Sequence, residues 1–255
     1  MSGITLKTPE EIEALAEGGR ILAQALQKVA QAAKPGVSTW ELNRIAEEEI
    51  ERAGAEPSFK GYGEHGKVFP ASLCTSVNDV IVHGAPSTGD ILREGDVVGL
   101  DLGVKYKGFF SDGAITVGVG KISEEAERLL AVGRRALDLA IAQARVGKRI
   151  GDISSAIQST AEAAGFGVVR ELIGHGVGYA VHEDPAVPCF GRKGEGVLLE
   201  EGMVLAIEPM LTMGGYPLTT MPDGWGMKTK DGSLTVHFEH TVAITKNGPR
   251  ILTGI

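Results

Sequence analysis

The sequence predicts an α+β fold made of two copies of one unit, each a pair of helices followed by antiparallel strands. Three observations carry this. Residues 94–101 read EGDVVGLD and residues 201–208 read EGMVLAIE, so Glu94 and Glu201, like Asp101 and Glu208, stand 107 residues apart. Two helical stretches echo each other at an offset of 111, which matches Gly36 with Gly147, Leu42 with Ile153 and Gly54 with Gly165. Strand-like apolar runs follow each helical stretch. A pseudo-twofold between the halves joins their strands into one curved, mostly antiparallel sheet with helices on its outer face.

Thr8-Pro9-Glu10-Glu11 opens the first helix, with Thr at the N-cap, Pro at the first helical position and Glu three residues after the cap. Ile12, Leu15, Gly19, Leu22, Leu26 and Val29 then form one apolar face at spacings of three and four. The second helix lies within PGVSTWELNRIAEEEIERAGA, from Pro35, and ends at Gly54, where a left-handed residue closes a helix. Ser72–Val77 and Val80–His83 flank Asn78-Asp79 as a hairpin, and Val97–Val104 pairs with Phe109–Val117. The second copy starts at Ser123-Glu124-Glu125, runs through Leu129, Leu130, Ala136, Leu137 and Ile141, and continues in VGKRIGDISSAIQSTAEAAGF from Val146. Its strands are Met203–Met210 and Leu234–Ile244. No linker-like stretch separates the copies around Gly118–Ile122, so residues 1–255 are expected to form a single domain with internal halves at about 8–118 and 122–253.

Net charge is −8 over 255 residues, which argues against a nonspecific nucleic-acid or anionic-membrane binder. No apolar run approaches the ~18 residues of a membrane span, and the N-terminus lacks a basic stretch followed by an apolar one. Two cysteines, Cys74 and Cys189, are too few for a disulfide framework and suit a reducing cytoplasm. Gly61-x-Gly63-x-x-Gly66 fits a dinucleotide fingerprint in letters only, because no helix opens after it.

The chemistry concentrates in carboxylates at the strand ends. With a turn near Tyr106-Lys107-Gly108, a symmetric hairpin sets Asp101 opposite Asp112, at a Cβ separation of roughly 4.5–5.5 Å. Glu208 and Glu239 are symmetric about the Pro222-Asp223-Gly224-Trp225 stretch. Phe110-Ser111-Asp112 and Phe238-Glu239 share an aromatic beside the acid, which marks Asp112 and Glu239 as counterparts. Singly, Asp101 reads as a strand-end turn residue and Glu208 as half of a buried ion pair. Together, four converging carboxylates repel unless cations neutralise them, and two divalent ions balance four negative charges. Carboxylates with an imidazole suit Mn, Fe, Co or Zn. The imidazole is His175, between Gly174 and Gly176; His83-Gly84 is its first-half equivalent. His182 lies seven residues past His175, too far for a helical HExxH site. His65, His237 and His240 are expected to be structural or solvated.

Asp101, Asp112, His175, Glu208 and Glu239, with His83 and His182, resemble the site of a type I methionine aminopeptidase. The flanking words VNDVIVHGAP, ELIGHGVG, HEDP, AIEPM and DGWGMKTKDGSLTVHFEHT carry the resemblance, from Thr8 to Thr253. It implies the pita-bread fold and removal of the initiator methionine from nascent chains whose second residue is small. It implies two divalent metal ions. Asp101 and Asp112 would hold one. Asp112, His175, Glu208 and Glu239 would hold the other, with Asp112 and Glu239 bridging. A hydroxide between the metals would attack, and Glu208 would shuttle its proton to the leaving amine. His182 would stabilise the oxyanion and His83 would position the substrate amide. Tyr62, Phe69, Cys74 and Trp225 are candidates for the methionine pocket, where aromatic and sulfur contacts suit a thioether. The 61–70 segment is longer than its family counterpart, and Val181 stands where an aromatic is common. The resemblance further implies a monomer that meets nascent chains at the ribosome, while charge, apolar runs and cysteine usage set the expectation of a cytoplasmic protein with no nucleic-acid site or membrane contact of its own. The rivals are a peptidase acting before proline and a non-catalytic binding module of the same fold.

Overall fold

A computed structural model describes residues 3–64 and 67–254, so His65 lies outside the described residues. Helix α1 (Pro9–Ala32) begins as its sequence dictates: the Thr8 hydroxyl accepts from Glu11 N–H while the Glu11 carboxylate accepts from Thr8 N–H. Helix α2 spans Thr39–Arg52, α3 spans Glu124–Gln143 and α4 spans Ile150–Ala163. The 111-residue echo holds in backbone detail. Gly36 and Gly147 have φ of +91° and +83°, Gly54 and Gly165 of +73° and +81°, and Leu42 and Ile153 are both fully buried. Gly36 N–H donates to Leu92 O as Gly147 N–H donates to Leu199 O.

The strands that position the site are β1 (Leu73–Val77), β2 (Val80–Val82), β3 (Val97–Tyr106), β4 (Phe109–Gly118), β5 (Ile173–Gly176), β6 (Glu183–Pro188), β7 (Val204–Ile207), β8 (Met210–Thr212), β9 (Met227–Thr229), β10 (Thr235–His237), β11 (Glu239–Thr245) and β12 (Gly248–Ile251). The main sheet, nine-stranded among the described residues, runs from a short strand at Glu56–Pro57 through β3, β4, β11, β7 and β5 to β6. β1 pairs on β3 and β12 on β11, and every ladder is antiparallel. The halves meet at β4 and β11. Leu22, Leu26, Leu42 and Ile50 pack the first helix pair on Leu100 and Leu102, while Leu129, Ile153 and Ile157 share a core with Leu205 and Ile207. Each such side chain, fully buried, contributes about 1.5–3 kcal/mol. The architecture is the pita-bread α+β fold.

Three sequence expectations change. β1 and β2 do not form a ladder with each other: β1 pairs with β3 and β2 with β9, and one bond from Thr75 N–H to Gly84 O links their ends. The 97–117 hairpin turns at Lys107-Gly108, both with positive φ (50° and 86°), as a two-residue loop requires. Its register therefore sets Asp101 opposite Ala114 and Asp112 opposite Gly103, so the two acids are diagonal neighbours on one face and not direct partners. The third change concerns symmetry. A shift of 107 carries Asp101 and Gly103 onto Glu208 and Met210, and Met210 faces His237. Ile207 faces His240 and Met210 faces His237, so Glu208 falls opposite Glu239 between these rungs. The counterpart of Asp112 is thus His237, and the counterpart of Glu239 is Ala114.

Candidate active site

A cavity of about 290 Å³ opens on the concave face of the sheet. Asp101, Asp112, His175, Glu208 and Glu239 line it, as do His83 and His182 and all four pocket candidates, Tyr62, Phe69, Cys74 and Trp225. Each of the five candidate ligands is nearly buried, at 3–8% exposure.

The backbone fixes these groups tightly. The Thr241 hydroxyl donates to Asp112 O at 2.7 Å and accepts from Asp112 N–H at 2.9 Å. One oxygen of the Asp112 carboxylate accepts from Gly113 N–H. His175 sits on β5 between glycines that have no room for a side chain: a Cβ on Gly174 would lie 2.5 Å from Ala206 O, and one on Gly176 would lie 2.2 Å from Asp184 O. His175 Nδ1 lies 2.8 Å from Gly176 O, so Nδ1 carries the proton and Nε2 is left as a free lone pair directed at the acids. Glu208 follows directly on β7, whose ladder stops before β8 because Pro209 lacks an N–H.

Asp112, His175 and Glu239 each offer an atom within 4.8 Å of the others'. Glu208 Oε1 lies 3.6 Å from His175 Nε2. Asp101 Oδ1 and Glu239 Oε1 are buried with no hydrogen-bond partner among the described residues. Burial, and next the charge of their neighbours, raises Asp112 and Glu239 well above the usual carboxylate range. Burial likewise raises Asp101, to about 6. These buried acids crowd one another's negative charge. Their orphaned oxygens and the free His175 nitrogen form a donor set that fits a divalent metal.

His182 stacks edge-on to His175, with ring centroids 4.4 Å apart, and its Nδ1 lies 2.7 Å from Tyr62 Oη. The cavity wall strips part of the water from His182 and His175 repels its charged form, so its pKa is lowered. The loop is anchored by Glu183, which accepts from Lys7 Nζ and Thr5 Oγ1 at 2.5 Å and from Tyr179 and Ala180 N–H. His83 has φ +57°, an uncommon left-handed conformation for a residue with a Cβ. Phe69 meets Trp225 edge to face at 5.4 Å, with Cys74 and Phe59 in the same apolar cluster. Cys74 lies opposite Asp101 across the β1–β3 ladder, so the apolar wall adjoins the acids. Burial keeps its thiol protonated. Val181 is buried but is not part of the lining.

Phe59, Leu172 and His237 also line the cavity without having been singled out from the sequence. His237 corrects the expectation of a structural or solvated residue. It is 3% exposed, with Nε2 3.2 Å from Glu208 Oε2 and 3.9 Å from Glu239 Oε2. Burial alone would lower its pKa, but the Glu208 carboxylate outweighs this and raises it. His240 is structural, with Nδ1 3.0 Å from Thr253 Oγ1.

Residues 13–246 match the model of metallopeptidase family M24. The chain is 51% identical to the methionine aminopeptidase of Clostridium perfringens (strain 13 / Type A), over 99% of each chain. Its structure superposes on the crystal structure of a methionine aminopeptidase from Thermotoga maritima with a TM-score of 0.96, at 42% identity over 99% of this chain and 100% of that one. A prolidase from Pyrococcus furiosus shares the fold more distantly, with a TM-score of 0.73, 26% identity, and coverage of 98% of this chain and 65% of that one. The acids, the ligand-ready imidazole and these matches agree: the chain is a metal-dependent hydrolase of metallopeptidase family M24 and belongs to its methionine aminopeptidases.

Proposed function

We propose that this enzyme removes the initiator methionine from nascent chains and peptides whose second residue is small, with residues 1–255 acting as one catalytic unit. The carrying observation is a floor of orphaned carboxylate oxygens and a free His175 Nε2 beside a wall of Phe69, Trp225 and Cys74. Asp101 and Asp112 would hold one divalent ion, and Asp112, His175, Glu208 and Glu239 a second; Mn, Fe, Co and Zn all suit these donors. When bound, the metals polarise the scissile carbonyl and lower the pKa of water.

The protein's own groups do the rest. Phe69, Trp225, Cys74 and Tyr62 take the thioether side chain. Glu208 takes the proton of the attacking water and returns it to the leaving amine. His182 presents Nε2–H to the carbonyl oxygen, because Tyr62 Oη occupies its Nδ1. His83, held across the cavity, orients the substrate amide. The free amino end meets the acids near Asp101, which restricts cleavage to N-terminal residues. We place the enzyme in the cytoplasm as a monomer that meets its substrates at the ribosome. Its two free cysteines suit that compartment.

The test strips the protein with chelator, restores Mn²⁺ or Co²⁺, and offers Met-Ala-Ser, Met-Leu-Ser and Ala-Pro-Ser peptides, with products read by mass spectrometry. Metal-dependent loss of Met from Met-Ala-Ser alone is expected. Cleavage of only Ala-Pro-Ser would assign a proline-directed peptidase, and no cleavage by folded, metal-loaded protein would leave a binding module.

A further inference from the structure

The internal symmetry sets His237 in the place that Asp112 occupies in the first half. Two independent features support this equivalence. One is register: Asp112 faces Gly103 and His237 faces Met210, and Gly103 and Met210 are themselves related by the 107-residue shift. The other is a hydroxyl clasp found in both halves. Thr241 Oγ1 donates to Asp112 O and accepts from Asp112 N–H, while Thr116 Oγ1 donates to His237 O at 2.7 Å and accepts from His237 N–H at 2.9 Å. Each clasping threonine lies four residues after the residue whose counterpart it holds. The fold thus aims both side chains at one centre with equal backbone restraint.

The His237 ring uses that placement. Its Nε2 is buried, has no properly angled hydrogen bond among the described residues, and lies 3.2 Å from Glu208 Oε2 and 3.9 Å from Glu239 Oε2. The other Glu208 oxygen, Oε1, faces His175 Nε2 at 3.6 Å. The Glu208 carboxylate is therefore held between two imidazoles, one oxygen toward each. No other hydrogen bond to Glu208 Oε2 is made among the described residues.

We propose that His237 is a positioning residue of the metal centre, its Nε2–H holding Glu208 Oε2 so that Oε1 stays turned toward His175. The inference rests on the metal-site reading above. A buried Nε2–H can serve only an oxygen within hydrogen-bond distance, and the one that qualifies, Glu208 Oε2 at 3.2 Å, belongs to a carboxylate assigned to the metals. Holding it preorganises the donor set without adding a negative charge to a site that already has four.

The test compares wild type, His237→Leu and His237→Gln as full chains. Leucine fills the space without a donor; glutamine restores an N–H of similar reach. Mn²⁺ binding to chelator-stripped protein is measured by calorimetry, with thermal midpoints as the control for folding. Loss of such an outer partner typically weakens metal affinity by about 10–100-fold. That loss is expected for His237→Leu, with kcat on Met-Ala-Ser falling more than KM rises, and His237→Gln is expected to recover most of both. A folded His237→Leu with wild-type affinity and kcat would overturn the inference, as would a His237→Gln no better than leucine. Should the leucine variant not fold, the wild-type imidazole proton spectrum decides. A downfield Nε2–H signal that disappears in His237→Gln supports the contact, and its absence overturns it. A wild-type protein that neither binds Mn²⁺ nor cleaves Met-Ala-Ser defeats the underlying reading; binding by wild type with an equal leucine variant defeats only the role of His237.

Discussion

The two halves share a backbone and divide the chemistry unequally. At one pair of equivalent positions both carry an acid, Asp101 and Glu208. At the next, the first half has Asp112 and the second has His237. At the third, the first half has Ala114, buried and inert, and the second has Glu239. The strand pairing fixes where a side chain can reach the centre, and the sequence then decides which reach becomes a ligand. Function was therefore built by differentiating positions that the fold supplies in pairs.

The strongest way to break this comparison is to make the halves alike. Glu239→Ala matches position 239 to Ala114 and removes one of the three side chains that converge within 4.8 Å. Metal affinity is expected to fall by more than the ~10–100-fold typical of an outer-sphere change, and peptide cleavage to fall to background. Calorimetry with Mn²⁺ measures it; near-normal binding would mean that Glu239 is not a ligand.

Glu208→Gln tests the pair in which both halves kept an acid. The amide retains shape and loses the proton-accepting charge, so kcat is expected to drop by about 10²–10⁴-fold while KM changes little. Asp101→Asn, its equivalent, should instead weaken metal retention and raise KM. Steady-state kinetics on Met-Ala-Ser separates the two, and identical kinetic defects would argue against distinct roles.

The sequence made this much legible because side-chain direction in strands has period two. The hairpin is centred one residue beyond its expected place, at Lys107-Gly108, yet that slip moves the register by two and leaves Asp101 and Asp112 on one face. The acids therefore converge in either register. His237 shows the opposite case. Its neighbours Val236 and Phe238 give it the look of a core strand, and its contact with Glu208 depends on a register that survives the break at Pro209. A signal existed, since His237 lies two residues before Glu239 and so on the same face. Phe59 and Leu172 come from irregular segments whose approach to the cavity no local periodicity encodes.

The helical layers should respond alike where the acids respond differently. Leu42 and Ile153 are fully buried counterparts in α2 and α4. Truncating either to alanine leaves a cavity and is expected to cost about 2–5 kcal/mol. Urea denaturation of both variants checks it, and a large disparity would show that the two cores are not equivalent supports.

Metal and protons should compete for the same acids. Burial raises Asp101 from 3.8 to about 6 and lifts Asp112 and Glu239 well above the ordinary range. A folded-state carboxylate pKa above its unfolded value means extra protons bound in the folded state, so these groups favour folding at low pH and lose that benefit as pH rises through about 4 to 6 and, for the other two, beyond. Metal removes the repulsion without needing the protons. At pH 7.5, Mn²⁺ at a hundred times its Kd is expected to add about 2.7 kcal/mol, raising the thermal midpoint. At pH 5 the same excess over that neutral-pH Kd should add less, and an equal or larger rise at pH 5 would contradict this account of the acids.

The smallest contrast lies at the helix starts. Ser38 caps α2 by accepting from Glu41 N–H, whereas Arg149 at the same place in α4 has no acceptor, and Asp152 three residues on accepts from Arg149 N–H instead. The frame is common and the capping group has moved. Ser38→Ala should then cost about 1 kcal/mol, a shift of roughly 2–4 °C in a chain this size, because an N–H of the first turn loses its partner. Arg149→Ala should cost less, since the Asp152 bond runs to a backbone N–H that the substitution leaves in place. Differential scanning calorimetry distinguishes them. An Arg149→Ala loss as large as that of Ser38→Ala would place the stabilisation of α4 in the Arg149 side chain, which reaches Gly196 O at 2.8 Å, and not in the cap.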